Sequence, residues 1–124
     1  MSKRKGPSYE QKLINALNKL PSPIIDKRHN LEIHINDNRA RSNQSRFEHI
    51  VSFRHGLRPR DILRIPRYIK TCLFKKEDGR KDTFNIYIKR NSRTDEYIKI
   101  SLEIKPENPN VATVKTIFIT ENIK

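Results

Sequence analysis

Apolar residues in the first half of this chain recur at helical spacing, and in the second half they alternate. Leu13, Ile14, Leu17 and Leu20 fall on one face, which predicts an amphipathic helix over Tyr9–Leu20. Ser8 is its natural N-cap, and Pro21 and Pro23 stop it. Phe47, Ile50, Val51 and Arg54 stand at i, i+3, i+4 and i+7, predicting a second helix over Gln44–His55. Gly56 sits where a glycine would close it. Asp61 reads as an N-cap or first-turn acid for a helical run over Ile62–Lys70, with Ile62, Ile65 and Ile69 inward and a break at Pro66. Between the first two helices, Leu31, Ile33 and Ile35 alternate with Glu32 and His34, as in a short edge strand or an extended loop.

From Thr71 onward the period is two. Strands are predicted at Thr71–Lys75, Thr83–Arg90, Tyr97–Ile104 and Thr113–Thr120. Turn signals separate them at Glu77–Arg80, Asn91–Asp95 and Pro106–Asn110. Phe84, Ile86, Ile88, Ile98, Ile100, Leu102 and Ile104 then share one face. Asn85, Tyr87, Lys89, Lys99, Ser101, Thr116 and Thr120 share the other. The expected fold is α+β: N-terminal helices on one face of a four-stranded antiparallel meander. Residues 1–8 read as a disordered basic tail and 9–124 as a single domain.

Charge narrows the class. The chain carries 27 Lys and Arg against 14 Asp and Glu, a formal +13. Arg39–Lys70 holds nine of those basic residues, eight of them Arg, against Glu48 and Asp61 alone. The planar Arg fork suits phosphate oxygens better than a lysine point charge does, so a nucleic acid is the expected partner. No apolar run approaches a membrane span and no secretory leader is evident, so a cytoplasmic protein without membrane contact is expected. With Cys72 the only cysteine and no paired histidine spacing, neither a disulfide nor a metal nor another cofactor is expected.

The polar sheet face supplies the candidate chemistry. Beside it the second helix would bring His49 and His55, and the following loop Arg58 or Arg60. His55 is the stronger catalytic candidate, because the end of a helix stabilises its protonated form. His29 and His34 read as a loop residue and an exposed bystander. A His/Lys/Arg/Thr/Tyr set can cleave RNA without a metal. One group takes the ribose 2′-OH proton, a second protonates the leaving 5′-oxygen, and cations stabilise the phosphorane. A lysine of this face, Lys99 or Lys89, and a threonine, Thr116 or Thr120, would complete the catalytic set, and Arg54, Arg58, Arg60 and Tyr87 would hold the strand. A non-catalytic nucleic-acid-binding module is the alternative, for which the arginines suffice.

The order of HIVSFRHGL, an arginine loop, IPRYI and four strands ending in VKTIFIT resembles the barnase–EndoU–colicin–RelE superfamily of metal-independent ribonucleases, in its phage and polymorphic-toxin branches. The resemblance covers about Arg46–Thr120. It implies one sheet face as the catalytic face and an endonuclease acting as a toxin or mobile-element effector. The family's helix histidine would match His49 or His55, its basic sheet residue Lys99 or Lys89, and its last-strand hydroxyl Thr116 or Thr120. RNA would be the substrate and an acidic immunity protein a further partner.

Overall fold

The computed structural model describes residues 8–21, 23–35, 44–51, 56–76, 79, 81–90, 93 and 95–121. Helix α1 spans Tyr9–Asn18; the Ser8 hydroxyl caps it by accepting the Gln11 N–H at 3.1 Å. Helix α2 is described over Gln44–Val51, and Gly56 beyond it has φ +83°, the left-handed conformation that favours glycine there. Helix α3 (Pro59–Leu63) starts earlier than the periodicity predicts. Arg58 is its N-cap residue, and Asp61 sits one turn inside, accepting the Arg58 N–H at 2.9 Å. Pro59 sets the start, since its fixed φ suits the first helical position and its missing N–H costs nothing there. A break at Arg64 separates α4 (Ile65–Tyr68), and a 3₁₀ turn (Ile69–Thr71) follows.

The sheet has six strands, against the four expected: β1 (Ile24–Asp26), β2 (Leu31–His34), β3 (Leu73–Lys76), β4 (Thr83–Lys89), β5 (Tyr97–Ile104) and β6 (Val111–Thr120), in the order β1-β2-β6-β5-β4-β3. The expected antiparallel meander is present as β3 to β6. The additions are a β1–β2 hairpin, turned through Asn30 at φ 56°, and a parallel pairing of β2 along β6. The sheet is therefore mixed, and β6 lies inside it. Three residues of β1 after Pro23 are too short a run to show alternation, which hid the hairpin from the sequence pattern.

The aliphatic face meets the helices, as alternation requires. Leu13, Ile14 and Leu17 of α1, Phe47, Ile50 and Val51 of α2, and Ile62 of α3 bury in one cluster with Ile33, Ile86, Ile88, Ile98, Ile100, Leu102, Val114 and Ile117. Burying each such side chain is worth about 1.5–3 kcal/mol, so this cluster dominates the fold's stability. The sheet is curled, and its two edges approach each other. The Arg28 guanidinium, in the β1–β2 turn, donates to the Cys72 carbonyl at 3.2 Å, and the His29 ring stacks on Phe74 of β3 with centroids 4.6 Å apart. Among the described residues, no helix is long and apolar enough to cross a membrane.

Candidate functional site

Strand register assembles the face of the sheet that looks away from the helices. Leu73, Tyr87, Lys99 and Phe118 form one row across β3, β4, β5 and β6; Lys75, Asn85, Ser101 and Thr116 form the next. Lys89, Tyr97 and Thr120 lie at one end. At the other end the parallel pairing extends the row to four strands: His34, Thr113, Glu103 and Thr83. Ser101 pairs Thr116 while Leu102 pairs Val114, so Lys115 is the extra residue of a β-bulge. A bulge lets two neighbouring side chains share a face. Lys115 uses that freedom to join the polar face, where its ammonium donates to the Thr83 hydroxyl at 3.3 Å.

Not every polar residue on this face meets solvent. Thr83, Asn85 and Tyr87 are buried; Lys99, Ser101, Thr116 and Thr120 are half-buried; Lys89 is exposed. The Lys99 ammonium lies 5.7 Å from the Tyr87 ring centroid and 5.2 Å from that of Phe118, two cation–π contacts that hold its position. With Tyr87 only 2% exposed, its ring is unavailable as the base-stacking platform expected of it. Asn85 is 3% exposed, and among the described residues its Oδ1 has no hydrogen-bond partner. An orphaned amide oxygen in such a setting costs about 1–3 kcal/mol unless a ligand or water satisfies it. His34, half-buried, brings Nε2 to 3.4 Å from Glu32 Oε1.

Arginines gather on the helical side. Arg58, Arg60, Arg64 and Arg67 of α3 and α4 are all exposed. Arg64 donates to the Arg90 carbonyl at 3.1 Å, so this group sits beside the end of β4 that carries Lys89. Asp61, the one acid of α3, is fully buried and faces inward. Its carboxylate accepts from Arg90 Nε at 3.1 Å and Nη2 at 2.9 Å, while Arg90 also donates to the Gly56 carbonyl at 2.7 Å and reaches Glu96 at 3.3 Å. Burial works to lower the Arg90 pKa, but the hydrogen bond and charge of Asp61, with help from Glu96, raise it on balance. The inward pairing leaves the arginine surface without an acid of its own helix to screen it.

The expected site residues therefore separate. Lys99, Thr116, Tyr87, Lys89 and Thr120 share the polar face, and Arg58 and Arg60 stand exposed on α3. His49 is exposed on α2, whose apolar side covers the aliphatic face, so the sheet stands between His49 and Lys99. Arg54 and His55 lie outside the described residues. Among the described residues, the histidine that shares the polar face is His34, with Glu103 and Lys115 in its row or beside it. The alternation of Leu31 and Ile33 with Glu32 and His34 carried a signal for this; the pairing of β2 with β6 was the missing information. Lys115 had no such signal, because strict alternation assigns it to the aliphatic face.

A separate cluster forms where the sheet edges meet. Asp26 Oδ1 accepts the backbone N–H groups of Arg28 at 3.1 Å and His29 at 3.3 Å, and Oδ2 lies 2.8 Å from His29 Nδ1. Cys72 completes it, with one donor atom of each residue within 4.8 Å of the others. Burial, then the nearby Asp26 charge, pushes the Cys72 thiol up to about 11 against the opposing effect of Arg28. A thiol so placed is a poor nucleophile. Compared with known proteins, the chain matches no family model, no curated protein and no solved structure.

Proposed function

We propose that this protein binds RNA and cleaves it on the polar face of its sheet, by attack of the ribose 2′-OH. The observation that carries the reading is the row His34–Thr113–Glu103–Thr83, with Lys115 turned onto the same face by the bulge. His34 and Glu103 stand two strands apart, about 9.6 Å at their Cα atoms, and their side chains extend from the same face. A phosphodiester between them has an acid–base partner on each side. One takes the 2′-OH proton as that oxygen attacks phosphorus; the other protonates the departing 5′-oxygen, leaving a 2′,3′-cyclic phosphate. The Lys115 ammonium stabilises the charge gathered on phosphorus. These side chains supply the acid, the base and the cation, in keeping with the barnase–EndoU–colicin–RelE-like reading of the sequence. Relative to that reading, the roles of histidine and lysine pass from His55 or His49 and Lys99 to His34 and Lys115.

The test is incubation with a mixed-sequence RNA in EDTA, with product ends identified. Wild type is expected to yield cyclic phosphate ends and to spare a strand carrying 2′-deoxyribose throughout. His34→Ala and Glu103→Gln are each expected to lower the rate at least a hundredfold, the usual scale for one general acid or base. Unchanged rates in both variants would remove this face as the site. A second reading, an RNA-binding module without cleavage, draws on the four exposed arginines of α3 and α4, which need no histidine. Salt-sensitive RNA binding with intact product would select it. Protein that neither binds nor cuts RNA would end both.

A further inference from the structure

Asp26, His29 and Cys72 meet at the seam between the two edges of the curled sheet, away from the polar face. Two of the three are supplied by one tight turn at i and i+3; the third comes from the residue just before β3. Each is positioned by something else. Two backbone N–H groups orient the Asp26 carboxylate, at 3.1 and 3.3 Å. The stack on Phe74, with ring planes 22° apart, orients the imidazole. Packing in the main core holds Cys72. The Asp26 side chain is fully buried, whereas the His29 side chain is 23% exposed, so the cluster opens to solvent on the histidine side.

We propose that this cluster binds a divalent transition-metal ion of the zinc class, through the Asp26 carboxylate, the His29 imidazole and the Cys72 thiolate. A mixed oxygen, nitrogen and sulfur set suits a borderline-soft ion and discriminates against magnesium and calcium. Zinc sits about 2.0–2.3 Å from such donors. Donor atoms already within 4.8 Å of one another need only modest side-chain rotation to close around it. Three protein ligands leave the fourth tetrahedral position to water, on the side where His29 is exposed. Binding releases the thiol proton to solvent. The two anionic ligands then cancel the ion's double charge, so the Arg28 guanidinium nearby faces a neutral centre. A metal here would tie the β1–β2 turn to the start of β3 and stabilise the seam. This inference does not rest on the ribonuclease reading.

Cobalt(II) is the direct probe. Cys72 is the only cysteine in the chain, so a thiolate-to-cobalt charge-transfer band can arise nowhere else. Metal-free wild type is expected to develop that band to a 1:1 end point and to lose it when zinc is added. His29→Ala, at a partly exposed position, is expected to weaken cobalt binding at least tenfold, and Cys72→Ser to abolish the band. Zinc is expected to raise the melting temperature of wild type and to leave that of His29→Ala unchanged. Should Cys72→Ser fail to fold, His29→Gln takes its place, with the same weakening expected. No charge-transfer band in wild type with cobalt in excess would overturn the proposal. So would a band undiminished in the folded His29 variants.

Discussion

Asn85 is a single residue whose polar group works against the stability of the fold. Among the described residues, its Oδ1 has no partner in a nearly closed setting beside Ser101, on the face that carries His34 and Lys115. Leucine has almost the same shape and no polar atom to desolvate. Asn85→Leu is therefore expected to gain about 1 kcal/mol in urea unfolding. A loss of stability would mean that the amide is well paired. Cys72 gives a second prediction at this scale, for metal-free protein. In the fold its thiol holds a proton up to about 11, whereas the unperturbed group releases it near 9.0. Between those values the unfolded chain binds fewer protons, so stability falls as pH rises through the window and is fully present below it. Measured against Cys72→Ser, wild type should lose stability between pH 9 and 11, and a flat difference would contradict the assignment.

Among the elements, Asp61 and Arg90 join the start of α3 to the turn between β4 and β5. Removing Asp61 strands a guanidinium whose side chain is 13% exposed and strips the N–H of Arg58 of its acceptor. Taking one partner from a buried pair costs about 3–5 kcal/mol. Asp61→Ala is expected to cost at the low end of that range, since Glu96 and the Gly56 carbonyl still hold Arg90. Double-mutant unfolding with Arg90→Met should recover part of the loss. The sequence placed Asp61 correctly at a helix start but could not reveal its long-range partner. The same limit governed the sheet. Period-two patterns in Phe84–Ile88 and Tyr97–Ile104 specify strands and faces, because each strand's neighbour is next in the chain. The β2–β6 pairing joins segments some eighty residues apart and leaves no local mark. Hence Lys99, Thr116 and Thr120 were legible as sharing one face, whereas the alignment of His34 with Thr113, and the bulge at Lys115, were not.

Among the described residues, basic side chains stand on at least two surfaces of the molecule. Arg58, Arg60, Arg64 and Arg67 project from α3 and α4, and Lys89 stands at the adjoining end of β4. From there the polar face runs along β4 to Thr83 at the far end, about 20 Å at strand rise, where Lys115 lies beside Thr83 and His34 ends the row. Under the proposed function, this layout would separate holding from reacting: the arginines would bind whichever sequence passes, and the far end would act on it. Binding through phosphates releases counterions, and for a single strand the log–log salt slope is about −0.7 per phosphate contact. Replacing all four arginines with glutamine in a Glu103→Gln background, which prevents turnover, is therefore expected to flatten that slope by about 3. The four are exposed, so the melting temperature should change little, and circular dichroism can verify the fold. A slope that stays as steep would show that phosphates are held elsewhere, and the division of labour between helical arginines and polar sheet face would fail with it.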